Sequence, residues 1–249
     1  MSPSVDRTTL RLDRARRTLR DGAGRVFDLG SHTWRSDAVA GSGEAVGVAA
    51  AVAWLQRESG RPAREPIGVV GGRHATHAQL AAARALGAGL AHAGLVVLCG
   101  GRGGVMLAVC EGVADGGGIS VGLLPGDTIA DGNDVVTIPL PTGIGLARNA
   151  LIARAARCLV AIGGSYGTLS EVAFALQYGK RVFGLEGAPA VGGVAHLPDV
   201  DAAIDAVGRV VLGLDPHPSP PTPGDAPGVE PRPAPHSPDA SRSSGTEKD

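Results

Sequence analysis

Gly163-Gly164-Ser165-Tyr166-Gly167-Thr168-Leu169-Ser170-Glu171 is the stretch whose residue types and spacing could do chemistry. The apolar run Cys158–Ile162 leads into it, and Leu169, Val172, Ala173 and Leu176 follow at the 3, 4, 7 spacing of a helix face. A strand, a glycine turn and a helix N-terminus together make an anion site, because free backbone N–H groups and the positive end of the helix dipole face one point. Glycine suits such a turn because a side chain would block the phosphate or forbid the backbone angles. The stretch reads as the phosphate-binding turn of a nucleotide-type site. A tight turn that binds nothing has the same local signature.

Other turns repeat the pattern. Gly71-Gly72-Arg73-His74, Cys99-Gly100-Gly101-Arg102-Gly103-Gly104, Pro125-Gly126-Asp127 and Pro141-Thr142-Gly143-Ile144-Gly145 each end an apolar run. Arg73 and Arg102 stand inside glycine turns, where a guanidinium suits an oxyanion. Arg148 and Asn149 open a helical segment just before the central turn. Thr168-x-x-Glu171 also has the form of a capping box, in which Glu171 would serve only its own helix start. Thr76-His77-Ala78-Gln79 has the same form at a place where no chemistry is suspected.

The elements that must position these turns are regular from Ile67 onward. Apolar runs at Ile67–Val70, Leu95–Leu98, Ile119–Leu123, Val135–Leu140, Cys158–Ile162 and Arg181–Leu185 are separated mostly by helical spacing, at Thr76–His92, Val105–Ala114, Leu146–Ala156 and Thr168–Tyr178. Runs this short and uniformly apolar suit strands buried on both faces. The expected fold is α/β, a doubly wound, mainly parallel Rossmann-like sheet with helices on both faces. Such sheets place ligands outside the carboxyl ends of their strands, at the switch point. Residues 66–213 would form this domain, closed by a helix over Asp199–Leu212.

Residues 1–65 differ. Leu10–Asp13 and Arg25–Leu29 around Asp21-Gly22-Ala23-Gly24 read as a β-hairpin, and Glu44–Arg57 as an Ala-rich helix. Arg61–Pro66 then breaks the pattern. No chemistry is visible in this appendage; packing or a dimer edge is the reading. Beyond Leu214 the chain holds ten of its 18 prolines and lacks apolar periodicity, so residues 214–249 are expected to be a disordered tail.

Composition narrows the function. At 43% hydrophobic but 3% aromatic, the core must be aliphatic. A net charge of −1 argues against nucleic-acid binding, which needs excess Lys and Arg. The N-terminus lacks the apolar stretch of a secretory signal, and the run Ala45–Leu55 is too short to span a bilayer. Cys99, Cys110 and Cys158 lack CxxC spacing and fall in strands or helices, so reduced thiols and a cytoplasmic location are expected. Known motifs fail. Gly71–Ala75 does not fit GxGxxG and the second strand ends in Cys99-Gly100-Gly101, which disfavours NAD. The only lysines, Lys180 and Lys248, are misplaced for a Walker loop or a pyridoxal Schiff base. The seven histidines do not gather with cysteines or carboxylates, and His74 with His77 makes no metal site.

With these residues in view, Ile67 to Leu185 resembles the Rossmann-like proteins often mislabelled lysine decarboxylases. Their best-known enzymes are the LOG (Lonely Guy) phosphoribohydrolases. That family's P-G-G-x-G-T-x-x-E pattern is met at Gly164, Gly167, Thr168 and Glu171, while Gly163 replaces the proline and Ser165 a glycine. Arg148 falls at the spacing of the family's catalytic arginine. The second motif, G-G-G-x-x-G-x-M-G, becomes Cys99–Leu107, without its first and last glycines. Gly100–Met106 and Ala147-Arg148-Asn149 are similar instead to a sister branch, the molybdenum-cofactor-carrier-like proteins. DNA-processing proteins share a remote version of the fold, and the near-neutral charge and few aromatics argue against that role.

The resemblance implies two function classes. One is a binding or carrier protein for a phosphorylated pterin- or nucleotide-like ligand, molybdenum cofactor or nucleotide, with no further cofactor required. The other is a hydrolase that cleaves nucleoside 5′-monophosphates to base and ribose 5-phosphate. There Arg148 would orient the substrate and Glu171 would activate water or stabilise the oxocarbenium-like ribose. The carrier reading is preferred, because the altered glycines follow the carrier-like branch. In both, the ligand would lie on Gly72, Arg73, Gly100, Gly101, Arg102, Gly103, Gly104, Thr142, Asn149 and Gly163 to Thr168. The resemblance also implies a homodimer or higher homo-oligomer.

Overall fold

The computed structural model describes residues 9–37 and 43–215. The tail expected to be disordered lies, from residue 216, outside the described residues. Two sheets are built in chain order. The first contains β1 (Leu10–Asp13), β2 (Thr18–Asp21), β3 (Val26–Asp28), β4 (Thr33–Arg35) and β5 (Glu44–Val46), and is followed by helix α1 (Val48–Arg57). The second alternates with helices: β6 (Ile67–Gly71), α2 (His77–His92), β7 (Val97–Cys99), α3 (Val105–Asp115), β8 (Ser120–Leu124), β9 (Ile138–Pro141), α4 (Arg148–Ala155), β10 (Leu159–Ile162), α5 (Tyr166–Gln177), β11 (Val182–Leu185), β12 (Val194–His196) and α6 (Val200–Val211).

The second sheet has the order β12-β11-β10-β6-β7-β8-β9 and every pairing is parallel. Alternate residues of each strand enter different cores. Val69, Val160 and Ile162 join α1, α2, α3 and α6 on one face, while Val70, Leu159 and Ala161 join α4 and α5 on the other. Both faces are covered, which is why the strands are continuously apolar. The chain steps outward from β6 to β9 and then returns to the other side of β6 at β10, so the switch point lies between β6 and β10. It is the doubly wound α/β fold expected from the sequence. No helix among the described residues is long and apolar enough to cross a membrane.

The first sheet is antiparallel, in the order β4-β3-β2-β1-β5. Sequence periodicity suggested one hairpin joining Leu10–Asp13 to Arg25–Leu29. The structure inserts Thr18–Asp21 as the partner of both, with Leu10 opposite Asp21 and Arg20 opposite Val26. Glu44–Val46, expected to begin the helix, instead pairs with β1, and the helix starts at Val48. Leu10, Leu12, Leu19 and Phe27 are buried in the same core as α1 and α6. The Trp34 indole N–H donates to the Leu212 carbonyl at 2.6 Å, fastening this sheet to the end of α6.

Helices α2 and α3 approach each other closely because glycine faces backbone. A Cβ on Gly112 would lie 1.9 Å from the Arg84 carbonyl oxygen, and one on Gly87 2.3 Å from that of Val109. Alanine is the better helix former by about 1 kcal/mol, yet Gly112→Ala must push the helices apart. We expect it to lower unfolding free energy by about 1–3 kcal/mol in urea titrations. Gly103→Ala, where a Cβ meets nothing within 4 Å, should leave stability nearly unchanged.

Candidate anion-binding site

The cleft opens where β6 and β10 part. It holds about 340 Å³ and is lined by Gly71, Gly72, Arg73, His74, Arg102, Met106, Pro125, Leu146, Arg148, Asn149, Ser165, Gly167, Thr168 and Glu171. A second hollow shares Arg73 and Arg102 and continues past Gly103, Glu111, Asp131, Asn133 and Asp134. Arg73 and Arg102 form no ion pair among the described residues and stand between the two hollows.

The floor of the cleft is the start of α5. Ser165 is its N-cap but makes no side-chain capping bond. The amides of Tyr166, Gly167 and Thr168 have no acceptor among the described residues; the first bonded amide is that of Leu169, which donates to the Ser165 carbonyl at 2.9 Å. The Thr168 hydroxyl is buried and also lacks a partner. Unsatisfied donors at a helix N-terminus, with a hydroxyl beside them, are suited to an oxyanion. A capping box does not form here: the helix starts at Tyr166, so Thr168 and Glu171 both lie inside it. At Thr76 the same pattern does form one, with the Thr76 hydroxyl accepting from the Gln79 amide and the Gln79 side chain from the Thr76 amide.

Glu171 is engaged elsewhere. Its Oε1 accepts from Arg148 Nη1 at 2.9 Å, with Arg148 5% and Glu171 6% exposed. Burial pushes the Glu171 carboxyl up to about 7, against the pull of the Arg148 guanidinium. Arg148 Nε is buried without a partner. The guanidinium lies so close to the second glycine turn that a Cβ on Gly100 would meet Nη2 at 2.3 Å. Gly100 thus makes room for the arginine and does not itself line the cleft. Asn149 staples α4 to the turn: its Nδ2 donates to Ser170 Oγ at 2.9 Å, and Ser170 Oγ donates to the Gly167 carbonyl at 2.7 Å.

Of the residues read from the sequence, Gly72, Arg73, Arg102, Arg148, Asn149, Ser165, Gly167, Thr168 and Glu171 converge on the cleft. Gly103 lines the second hollow. Gly104, at φ +70°, packs against the Gly72 and Arg73 carbonyls and precedes Val105, whose amide bonds Gly72 O at 3.1 Å. The α3 terminus is therefore partly satisfied by protein. Gly101 packs on Gly122, and Gly163, at φ +52°, on the Gln79 amide. Gly164 abuts Thr168 and Pro189, Thr142 bonds the Leu124 carbonyl, and the Tyr166 side chain is 92% exposed. Sequence reasoning missed Gly71, His74, Met106, Pro125 and Leu146 as lining residues. All but Leu146 stand inside turns or motifs quoted from the sequence, where they were not read as lining residues, and Leu146 opens the helical segment before Arg148. No cluster of three or more metal-ligating side chains occurs among the described residues.

Protonating Glu171 removes the one carboxylate lining this cleft and leaves Arg148 uncompensated. Sulfate, whose charge is constant above pH 4, should therefore bind more tightly as pH falls from 8 to 6. In Glu171→Gln the share of that pH dependence due to Glu171 should vanish. The same shift acts on stability. A carboxyl raised on folding takes up protons that the unfolded chain lacks between about pH 4.5 and 7, so its contribution is lost as pH rises across that window. The parent should lose stability relative to Glu171→Gln between pH 5 and 7.5, by up to about 3 kcal/mol. Calorimetric titration and chemical denaturation at each pH test both.

Comparison with known proteins gives the site a context. A molybdenum cofactor binding protein from the phototrophic bacterium Rippkaea orientalis is similar at 32% identity and TM-score 0.57, over 59% of this chain and 98% of that one. The molybdenum cofactor carrier protein of Chlamydomonas reinhardtii is 37% identical at TM-score 0.53, over 59% of this chain and 99% of its own. An uncharacterized protein of Archaeoglobus fulgidus is 35% identical over 139 residues, 91% of its length. Residues 64–206, which contain both glycine turns, Arg148 and Glu171, match the SLOG cluster4 family, and the chain belongs to that family.

Proposed function

We propose that the protein binds and carries a small phosphorylated ligand of the pterin or nucleotide class, molybdenum cofactor foremost, with residues 66–213 as the binding unit. The observation that carries this reading is the uncapped start of α5, with the buried, unpartnered Thr168 hydroxyl beside it and Arg73, Arg102 and Arg148 in the same cleft. A terminal phosphate supplies the acceptors that these donors lack. Met106, Pro125 and Leu146 add apolar wall for the ring portion of the ligand. The similarity to molybdenum cofactor binding and carrier proteins supports the same ligand class. Free, buried thiols suit a cytoplasmic carrier.

The hydrolase reading draws on Glu171, a carboxyl titrating near 7 in the cleft. Against it, that carboxyl is occupied by Arg148, which it holds in place. Gly167→Leu tests the carrier reading directly. A Cβ at Gly167 meets only Ser165 Oγ, at 3.8 Å, so the fold should be undisturbed while the phosphate position is filled. Calorimetry should show loss of phosphate and AMP binding at an unchanged melting temperature; unchanged affinity would refute the site. Incubation of the parent with AMP should release no adenine, and release lost in Glu171→Gln would establish the hydrolase instead.

The carrier acts as a homodimer in this reading. Leu146, Leu151, Leu169 and Phe174 on and before α4 and α5, with Ile138 and Leu140 on the edge strand β9, are exposed. Leu146 also lines the cleft, so a second copy covering it would border the ligand. Light scattering at micromolar concentration should give twice the chain mass, and Phe174→Glu with Leu151→Glu should give the monomer.

A further inference from the structure

Two of the three cysteines lie against each other. Cys99 ends β7 and Cys110 stands in the second turn of α3, and their sulfurs are 3.7 Å apart. Neither takes part in ligand binding as described above. Cys99 is nonetheless the root of the second glycine turn: its sulfur accepts from the Gly101 amide at 3.3 Å. Gly101 is held again by the Asn133 amide, which donates to its carbonyl at 2.8 Å, while Asn133 Nδ2 donates to the Arg102 carbonyl at 3.1 Å and reaches Cys110 Sγ at 3.9 Å. One network thus joins both thiols to the backbone that aims Arg102 into the cleft.

We infer that Cys99 and Cys110 are a reversible disulfide-forming pair whose oxidation weakens anion binding by disturbing the Gly100–Gly104 turn. Closing 3.7 Å to the ~2.05 Å of an S–S bond needs side-chain rotation and a slight approach of α3 to β7. The two thiols are not equivalent. Cys110 is lowered to about 7, chiefly by its hydrogen bond with Cys99, with Ser120 and Asn133 adding to the effect. Cys99 is pushed well up by its bond to Cys110 and by burial. Cys110 is therefore the attacking thiolate. Asn133 both contacts it and lines the second hollow, so the thiol sits one side chain behind solvent. Cys158, pushed to about 12 by burial, is an internal control that should stay inert.

The oxidant is a hydroperoxide. Cys110 thiolate attacks the terminal peroxide oxygen, the O–O bond breaks, and the departing oxygen takes up the proton that Cys110 released, leaving a sulfenic acid and an alcohol (water, from hydrogen peroxide). The Cys99 sulfur then attacks the sulfenyl sulfur and expels hydroxide, which takes the Cys99 proton and leaves as water. Two thiols lose two electrons and the peroxide gains them. The new bond draws the Cys99 sulfur away from the Gly101 amide, and the turn loses an anchor.

Full-length protein treated with hydrogen peroxide should lose the mass of two hydrogens, and non-reducing peptide mapping should join Cys99 to Cys110 with Cys158 still free to alkylate. Cys110→Ser and Cys99→Ser should each prevent the link, and Cys158→Ser should not. No mass loss, a link to Cys158, or sulfinic acid on Cys110 alone overturns the pairing. Calorimetry with inorganic phosphate should show several-fold weaker binding to the oxidised form, restored by dithiothreitol and absent as an effect in Cys110→Ser. Equal phosphate affinity in both forms overturns the control of binding. That control rests on the anion-site reading. Should neither form bind phosphate, both fail together, while the mass measurement still decides the disulfide.

Discussion

The cleft depends on the ion pair between Arg148 and Glu171. Placing two charges at this depth costs several kcal/mol each in lost hydration, and the contact between them offsets that only while both are present and aligned. Three neighbours secure the alignment. Gly100 leaves the guanidinium room, Asn149 ties α4 to the first turn of α5, and the helices carrying the two charges pack on one face of the sheet. The pair thereby joins α4 to α5 beside the open N-terminus of α5. A cation held by a titratable partner also has adjustable strength: the proton on Glu171 sets how much of Arg148's charge an incoming anion meets.

The two sides of the cleft are built by different means. At α3 a neighbouring carbonyl, that of Gly72, takes the first amide of the helix, that of Val105, and the second glycine turn packs against the Gly72 and Arg73 carbonyls. At α5 no protein group closes the start. Similar glycine-rich sequences thus serve one terminus partly satisfied by protein and one whose first three amides have no acceptor among the described residues. Free arginines between the two hollows extend the positive field toward the carboxylates of Asp131 and Asp134. A ligand with an anionic end and a donor-bearing ring would find complementary chemistry along that line.

Much of this was legible in the sequence. Doubly buried strands announce themselves as short apolar runs, and β6, β8, β10 and β11 lie within a residue of where those runs fall. Arg148, Glu171 and the turn at Gly164–Thr168 were visible as a motif. Strands β2, β4, β5 and β12 were not, because three- or four-residue segments such as Thr33-Trp34-Arg35 are too short to show a period. Their pairing is decided by tertiary partners, as when the Trp34 indole meets Leu212. The Thr168-x-x-Glu171 spacing misled for a related reason. A capping box needs the threonine at the N-cap, and the N-cap is Ser165, three residues earlier, which spacing alone does not locate.

The end of α6 has a practical meaning. Arg157, just ahead of β10, reaches both the Val210 carbonyl and Glu65, so α6 finishes at the amino ends of the strands, on the rim away from the cleft. The chain leaves Asp215 from that rim, where the arginine of α6 also grips it. Asp215 therefore lies at the back of the molecule, across the length of the strands from the cleft.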